Sequence, residues 1–277
     1  MSGINCHRKA EKNMKRKQII AIRGAGDLAS GIGLRLWRSG FPVIFSELPV
    51  PLCIRRTIAF SSAVFDGSAV VEDAEGVLIS DITEAGKTWE SGKLPVIVDE
   101  SAEKLLSLKP DVLIDARLIK SYREDTNLTD APLVIGMGPG FIAGKNVHCV
   151  VETNRGHNMG LVFWTGEAEP DTGIPGTIKG EGIKRVVKSP CDGVFDPVVQ
   201  IGDAVGVDEL IAYVGETEIR AQLAGIVRGI IYPGITVWKN LKIMDIDPRG
   251  NRSHCFTVSD KASALGGGVL EAILSRF

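Results

Sequence analysis

Cysteine and histidine are scarce in this sequence, and neither is grouped. The five cysteines (Cys6, Cys53, Cys149, Cys191 and Cys255) lie far apart, with no Cys-x-x-Cys pair, which argues against a disulfide framework and against a zinc site. The four histidines (His7, His148, His157 and His254) are equally scattered, so no metal centre is expected. No uninterrupted apolar run approaches the roughly 18 residues of a membrane helix. Charge of one sign is not in excess: 32 basic residues face 34 acidic ones, for a net charge of −2. That balance leaves no footprint for nucleic acid or an anionic membrane surface.

The hydrophobic fraction of 44% is ordinary for a globular protein with a buried core. At 277 residues the chain has room for about two domains. Residues 1–17 carry Arg8, Lys9, Lys12, Lys15, Arg16 and Lys17 against Glu11 alone. A basic start can open a secretory signal, but the apolar run that follows spans only residues 19–22 before Arg23 and a glycine turn. The expectation is a disordered basic tail on a cytoplasmic protein, with Met14 as an alternative start.

Ile19-Ile20-Ala21-Ile22 leads into Gly24-Ala25-Gly26, and Leu28, Ile32, Leu36 and Trp37 then recur at helical spacing. Gly40 ends that helix, and Pro42-Val43-Ile44-Phe45 begins a second apolar run ending at Glu47. Strand, glycine turn, helix and strand in this order open a doubly wound nucleotide-binding sheet. Gly24-x-Gly26-x-x-Ala29 satisfies the relaxed dinucleotide fingerprint, with free N–H groups at the helix start for a pyrophosphate. Glu47, at the end of the second strand, is placed to accept from ribose hydroxyls. Asp27 complicates that reading. Its carboxylate suits the helix N-terminus, yet it occupies the place a pyrophosphate would take. A plain strand-to-helix turn, a more distant phosphate or a bound cation would each accommodate it.

Further along, a helix is expected over residues 81–90, a strand over 94–98, and a helix over 102–108 capped by Ser101. Short strands are expected at 68–71 and 77–79, with a turn at Glu75-Gly76. Three apolar runs each end in polar or glycine residues: 112–114 in Asp115-Ala116-Arg117, 133–135 in Gly136-Met137-Gly138-Pro139-Gly140, and 148–151 in Glu152-Thr153-Asn154-Arg155-Gly156-His157-Asn158. Ligands of open α/β sheets bind beyond the carboxyl ends of the strands, so these segments are expected to meet residues 24–27 in one cleft.

Residues 166–182, rich in proline and glycine, read as a linker. Beyond it is an internal repeat offset by 32 residues: Gly193, Gly202 and Val205 correspond to Gly225, Gly234 and Val237. Two interlocked short-strand halves resemble the barrel-sandwich hybrid of lipoyl and biotinyl domains. The turn between them, Gly215-Glu216-Thr217-Glu218, has no lysine to carry a cofactor. The expected fold is therefore α/β: a Rossmann-like doubly wound sheet over residues 18–170, an unmodified barrel-sandwich hybrid over 171–250, and a packing segment with a terminal helix over 251–277. Gly266-Gly267-Gly268 before that helix reads as a joint, a close-packing site or an anion nest.

Several side chains are candidates for chemistry. Cys53 precedes Arg55 and Arg56, and adjacent cations lower a thiol pKa. The arginines themselves suit phosphate. Asp115 and Arg117 stand at a strand end, either as a binding pair or as an internal ion pair. Gly136, Gly138 and Gly140 offer backbone donors or simply a sharp turn. Glu152, Asn154, Arg155 and Asn158 belong to the densest polar run of the chain. His157 within it is the general acid/base candidate, since its unperturbed pKa lies near 6.5.

The stretches beginning at Arg23-Gly24-Ala25-Gly26-Asp27, Cys53-Ile54-Arg55-Arg56-Thr57, Asp115-Ala116-Arg117, Gly136-Met137-Gly138-Pro139-Gly140-Phe141 and Glu152-Thr153-Asn154-Arg155 resemble YqeB-type accessory proteins of selenium-dependent molybdenum hydroxylases. Ser259-Asp260-Lys261 and the glycine triplet fit as well. The resemblance runs from about Gln18 to Phe277, and the first half is similar to the Rossmann domain of XdhC-type cofactor-insertion chaperones. It implies a cytoplasmic accessory protein that matures or inserts the molybdenum cofactor. The implied ligand is a molybdopterin cytosine dinucleotide or another nucleotide, and the implied partners are a molybdenum hydroxylase or other maturation factors. In that setting Cys53 would hold sulfur or selenium. Two other readings rest on the same residues: an NAD(P)-dependent oxidoreductase, and a non-catalytic scaffold.

Overall fold

The computed structural model describes residues 16–122, 124–171, 173 and 180–277. Most of the basic tail and the centre of the proline- and glycine-rich linker therefore lie outside the described residues.

In chain order the first half contains β1 (Ile20–Arg23), α1 (Asp27–Arg38), β2 (Val43–Glu47), α2 (Ala63–Asp66), β3 (Ser68–Val71) and β4 (Ala74–Ile79). Next come α3 (Ala85–Glu90), β5 (Leu94–Val98), α4 (Glu103–Ser107), β6 (Val112–Asp115), β7 (Leu133–Met137) and β8 (Ile142–Ala143). It closes with β9 (Cys149–Val151), β10 (Val162–Phe163) and β11 (Gly166–Glu167). Nine of these strands form one sheet in the order β10-β9-β7-β6-β1-β2-β5-β4-β3. From β9 to β4 every neighbour pair is parallel, and both edges, β10–β9 and β3–β4, are antiparallel.

The central strands are short, apolar and buried along their whole length, as parallel strands covered on both faces must be. Ile20, Ile22, Val43 and Phe45 pack with Ile32, Leu36 and the C-terminal helix on one face. Ala21, Ile44, Leu113 and Val134 pack with Leu105 and Ala85 on the other.

The second half contains β12 (Val186–Lys188), β13 (Gly193–Pro197), β14 (Ala204–Val205), β15 (Leu210–Val214), β16 (Thr217–Arg220), β17 (Gly225–Ile230), β18 (Thr236–Val237) and β19 (Lys242–Asp247). They form two four-stranded sheets, β12-β19-β17-β14 and β16-β15-β13-β18, enclosing a separate core around Phe195, Val227 and Ile243. Strands related by the 32-residue repeat fall in opposite sheets: β13 and β17, β14 and β18, β15 and β19. The chain then returns to the large sheet as α5 (Asp260–Arg276), which packs along α1 and over β7, β9 and β10.

This architecture corrects the expected Rossmann-like doubly wound sheet followed by a barrel-sandwich hybrid. The large sheet is mixed and has nine strands, and small antiparallel sheets accompany it. Among the described residues no helix links β6 to β7 or β7 to β9, so the winding of a Rossmann fold stops half-way across the sheet. The face left bare is covered by α5 from the far end of the chain. Short apolar runs do not reveal whether neighbours pair parallel or antiparallel, and that information separates the two architectures.

Local boundaries also differ. The β3–β4 turn lies at Glu72-Asp73, and Gly76 sits within β4, where an added Cβ would stand 2.6 Å from the Phe60 ring. Ser101 lies only 3.5 Å from the Glu103 N–H, whereas Asp99 accepts firmly from the Leu105 N–H at 2.8 Å. Helix α5 begins at Asp260, with Ser259 as its cap, so the glycine triplet is inside the helix. The triplet permits close packing: a Cβ on Gly268 would stand 2.1 Å from the Gly160 carbonyl oxygen.

Candidate functional site: two adjoining cavities

The carboxyl ends of β1, β2, β5 and β6 open into a cleft of about 1100 Å³. Gly24, Gly26 and Asp27 form its floor. Glu47, which ends β2, and Leu48 enter the wall, Asp99 to Ser101 follow β5, and Ala116 to Ile119 follow β6. Gly24 takes a left-handed φ of +94°, with the Ala116 carbonyl 3.3 Å from where a Cβ would be. Only glycine combines that conformation with that approach at low cost.

The turn carries its own anions. Glu47 accepts the Ala25 N–H through Oε2 at 2.7 Å and the Leu48 N–H through Oε1 at 2.8 Å. Burial raises its pKa, and the two N–H bonds offset part of that rise. The Ala25 N–H, one of the donors a pyrophosphate would use here, is thus already bound to a carboxylate. Asp27 adds a second carboxylate in the first turn of α1, with Gly26 as the N-cap. Asp27, Glu47, Asp99, Glu100 and Asp125 make this an acidic cleft.

Its two arginines belong to a closed network. Arg23 donates to Thr126 Oγ1 at 2.7 Å, and Thr126 donates to Asp115 Oδ2 at 2.7 Å. Arg117 donates through Nε to Asp115 Oδ1 at 2.9 Å and through Nη1 to Asp125 Oδ2 at 2.7 Å. Asp115 is 1% exposed. Asp115 and Arg117, two residues apart, therefore meet as an internal ion pair that fixes the segment after β6.

Arg55 and Arg56 do not form a phosphate cradle. Arg55 is buried, donates to the His254 carbonyl at 3.1 Å and stands 3.8 Å from Asp27. Arg56 donates to the Ile230 carbonyl at 2.7 Å and lies over the Tyr232 ring. Arg56 thus ties the segment after β2 to β17, and Arg55 ties it to the turn between β19 and α5. Cys53 lines the cleft beside Gly26, but its thiol pKa is pushed up to about 12, first by burial and then by Asp27 and Glu47. This is opposite to the activation its sequence neighbours suggest, because burial and the two carboxylates outweigh the nearby cations.

The polar loop after β9 is organised from within. Buried Glu152 accepts the Asn154 N–H at 2.6 Å and the Glu169 N–H at 2.8 Å. Glu169 accepts from Asn154 and Asn158, and both bonds lower its pKa. Arg155 makes a two-pronged pair with Asp260 at 2.8 and 3.0 Å. His157 is exposed and lines neither of these two cavities. The glycines after β7 have packing reasons: added Cβ atoms at Gly136, Gly138 and Gly140 would each stand 2.3 Å from Phe141, Thr153 or Ser121.

A second cavity of about 490 Å³ adjoins the first through Leu118 and lies between the large sheet and the β12–β19 sheet. Lys120, Arg155, Arg185, Lys188, Lys242 and Lys261 line it, against Glu169 and Asp171. Of these cations only Arg155 is a sequence-derived candidate. Lys188 and Lys242 are 54 positions apart and meet only through strand register. No run of basic residues announces them. Among the described residues no three His, Cys, Asp or Glu side chains are grouped to hold a metal ion.

No family model matches the chain. It is 47% identical over 257 residues to the uncharacterized protein YqeB of Escherichia coli strain K12, a match that covers 93% of this chain and 47% of that protein. The chain is thus related to YqeB over nearly its whole length and spans about half of it. An aspartoacylase family protein from Mesorhizobium loti aligns at 12% identity over 83% of this chain and 85% of its own, with a TM-score of 0.27. A succinylglutamate desuccinylase from a Silicibacter species aligns at 12% identity over 83% and 84%, with a TM-score of 0.24. Likenesses this weak carry no argument about fold or activity. No helix among the described residues is long and apolar enough to cross a membrane.

Proposed function

We propose that the chain is a cytoplasmic accessory protein that binds a nucleotide-bearing cofactor, and that it serves maturation or insertion of the molybdenum cofactor of selenium-dependent hydroxylases. The supporting observation is the joined pair of cavities of opposite charge at the carboxyl ends of the parallel strands. Asp27 and Glu100 leave the acidic cleft carboxylate acceptors not taken up by backbone N–H groups, which suits the N–H edges of a pterin or cytosine ring and the hydroxyls of a sugar. The basic cavity suits phosphate. A molybdopterin dinucleotide combines these chemistries in one molecule, so the donor and acceptor sets fit it. The cofactor would bring metal redox chemistry to the enzyme that receives it, and this chain's residues would hold and orient it.

The oxidoreductase reading gains nothing from the geometry. Glu47, its ribose acceptor, has both oxygens on backbone N–H groups. The scaffold reading becomes the outcome if no nucleotide binds. Ser101 is exposed and lines the cleft, so Ser101→Trp fills ligand space without disturbing the core. Titration with cytidine diphosphate should show binding to the native chain and about a tenfold loss in Ser101→Trp. Absence of binding, or equal affinity in the two proteins, sinks the reading.

A further inference from the structure

The second cavity holds a charge imbalance that the fold does not resolve. Lys188 and Lys242 are direct cross-strand partners on β12 and β19. Like charges set opposite one another on an antiparallel pair destabilise it. The register shifts between Val187 and Lys188, the kind of irregularity that re-aims a side chain. Lys261 enters from the other half of the molecule, in the first turn of α5, where a cation opposes the helix dipole. None of these three lysines makes an ion pair among the described residues. The other cations are held: Arg155 by Asp260, Arg185 by Asp245 and Lys120 by Asp171.

Two further observations agree. Lys188 and Lys242 keep exposed side chains at the cavity rim, and the crowded surroundings of Lys242 lower its pKa, first by desolvation and then by Arg185 and Arg55, with Asp245 and Asp27 opposing the fall. That of Lys261 is lowered by burial and then by Arg155. Between the two cavities, Leu118 and Lys120 both take left-handed backbone, with φ of 57° and 63°. Non-glycine residues persist in that region only where the surroundings enforce it, and ligand clamps are a common setting.

We propose that the basic cavity is a pyrophosphate-binding site in which Lys188, Lys242 and Lys261 supply the unpaired positive charge. Ammonium groups bind phosphate as point charges, and three of them exceed what a single carboxylate ligand can neutralise. A bound pyrophosphate would turn the Lys188–Lys242 repulsion into a shared contact. The placement rests on the preceding reading in one respect: if the pyrophosphate belongs to a nucleotide, its nucleoside extends past Leu118 into the acidic cleft.

Isothermal titration of the full chain with inorganic pyrophosphate, and separately with cytidine diphosphate, tests this. Pyrophosphate should bind, more weakly as salt rises. The double substitution Lys188→Gln, Lys242→Gln should cost about tenfold or more in affinity for both compounds. Without ligand the double variant should melt close to the native chain, because both side chains are exposed and such surface substitutions are near neutral. If it fails to fold, Lys261→Gln should show the same direction of loss. Failure of the native chain to bind pyrophosphate, or unchanged affinity in the variants, overturns the site. Nucleotide binding that survives the substitutions rejects this site and leaves the nucleotide reading standing. Pyrophosphate binding that gains nothing from an attached nucleoside upholds the site and rejects that reading.

Discussion

Glu47 and Asp27 set the character of the cleft floor. A glycine turn at the start of a helix ordinarily receives an anion, and here the protein supplies both carboxylates itself. Cys53 stands next to them and responds accordingly, with its thiol pushed up to about 12. At neutral pH its thiolate fraction is far below that of a free cysteine. Iodoacetamide labelling followed by peptide mapping should therefore find Cys53 alkylated far more slowly than a model thiol. Rapid labelling would restore the sulfur- or selenium-carrying reading of this residue. At this scale the sequence made the strand-end positions of Gly24, Glu47 and Asp115 legible, because position follows from a local pattern, but not that Glu47 and Asp115 are bonded within the protein itself. It misled on Arg55 and Arg56, whose carbonyl partners at His254 and Ile230 lie 199 and 174 positions away. It was silent on Lys188 and Lys242, which become neighbours only through register.

Among the elements, α1 and α5 carry the packing that holds the site in place. Gly31 of α1 lets α5 approach so closely that an added Cβ would stand 2.6 Å from Ala262 Cβ. Gly268 of α5 does the same against the Gly160 backbone, at the base of the loop that carries Arg155. Gly268→Ala should destabilise the protein by about 1–3 kcal/mol through overpacking, although alanine is the better helix former by about 1 kcal/mol. Chemical denaturation measures the difference, and a more stable variant would show that the contact is slack. The β1–α1–β2 unit could be read directly from sequence, since its turn, periodicity and apolar runs agree. The reach of α5 could not, because a glycine triplet locally argues against helix and only the neighbouring backbone explains it. The antiparallel edges were equally hidden, as two- to six-residue apolar strands look alike in either orientation.

Taken whole, the molecule sets two cavities of opposite charge side by side, one at the strand ends of a mixed sheet and one where the C-terminal sheets meet it. Arg55, Arg56 and the Tyr232–Asp66 bond fix the two parts against each other, so the relation between the cavities is built into the fold. The central claim is that one ligand occupies both cavities, with its heterocycle in the acidic cleft and its pyrophosphate among the lysines. Native mass spectrometry of the gently purified chain, followed by release and identification of retained small molecules, tests it most directly. The account predicts a retained compound carrying a heterocycle and a pyrophosphate together, and its loss when Lys188 and Lys242 are both replaced by glutamine. A chain that retains nothing, or a compound without phosphate that survives the double substitution, would contradict it.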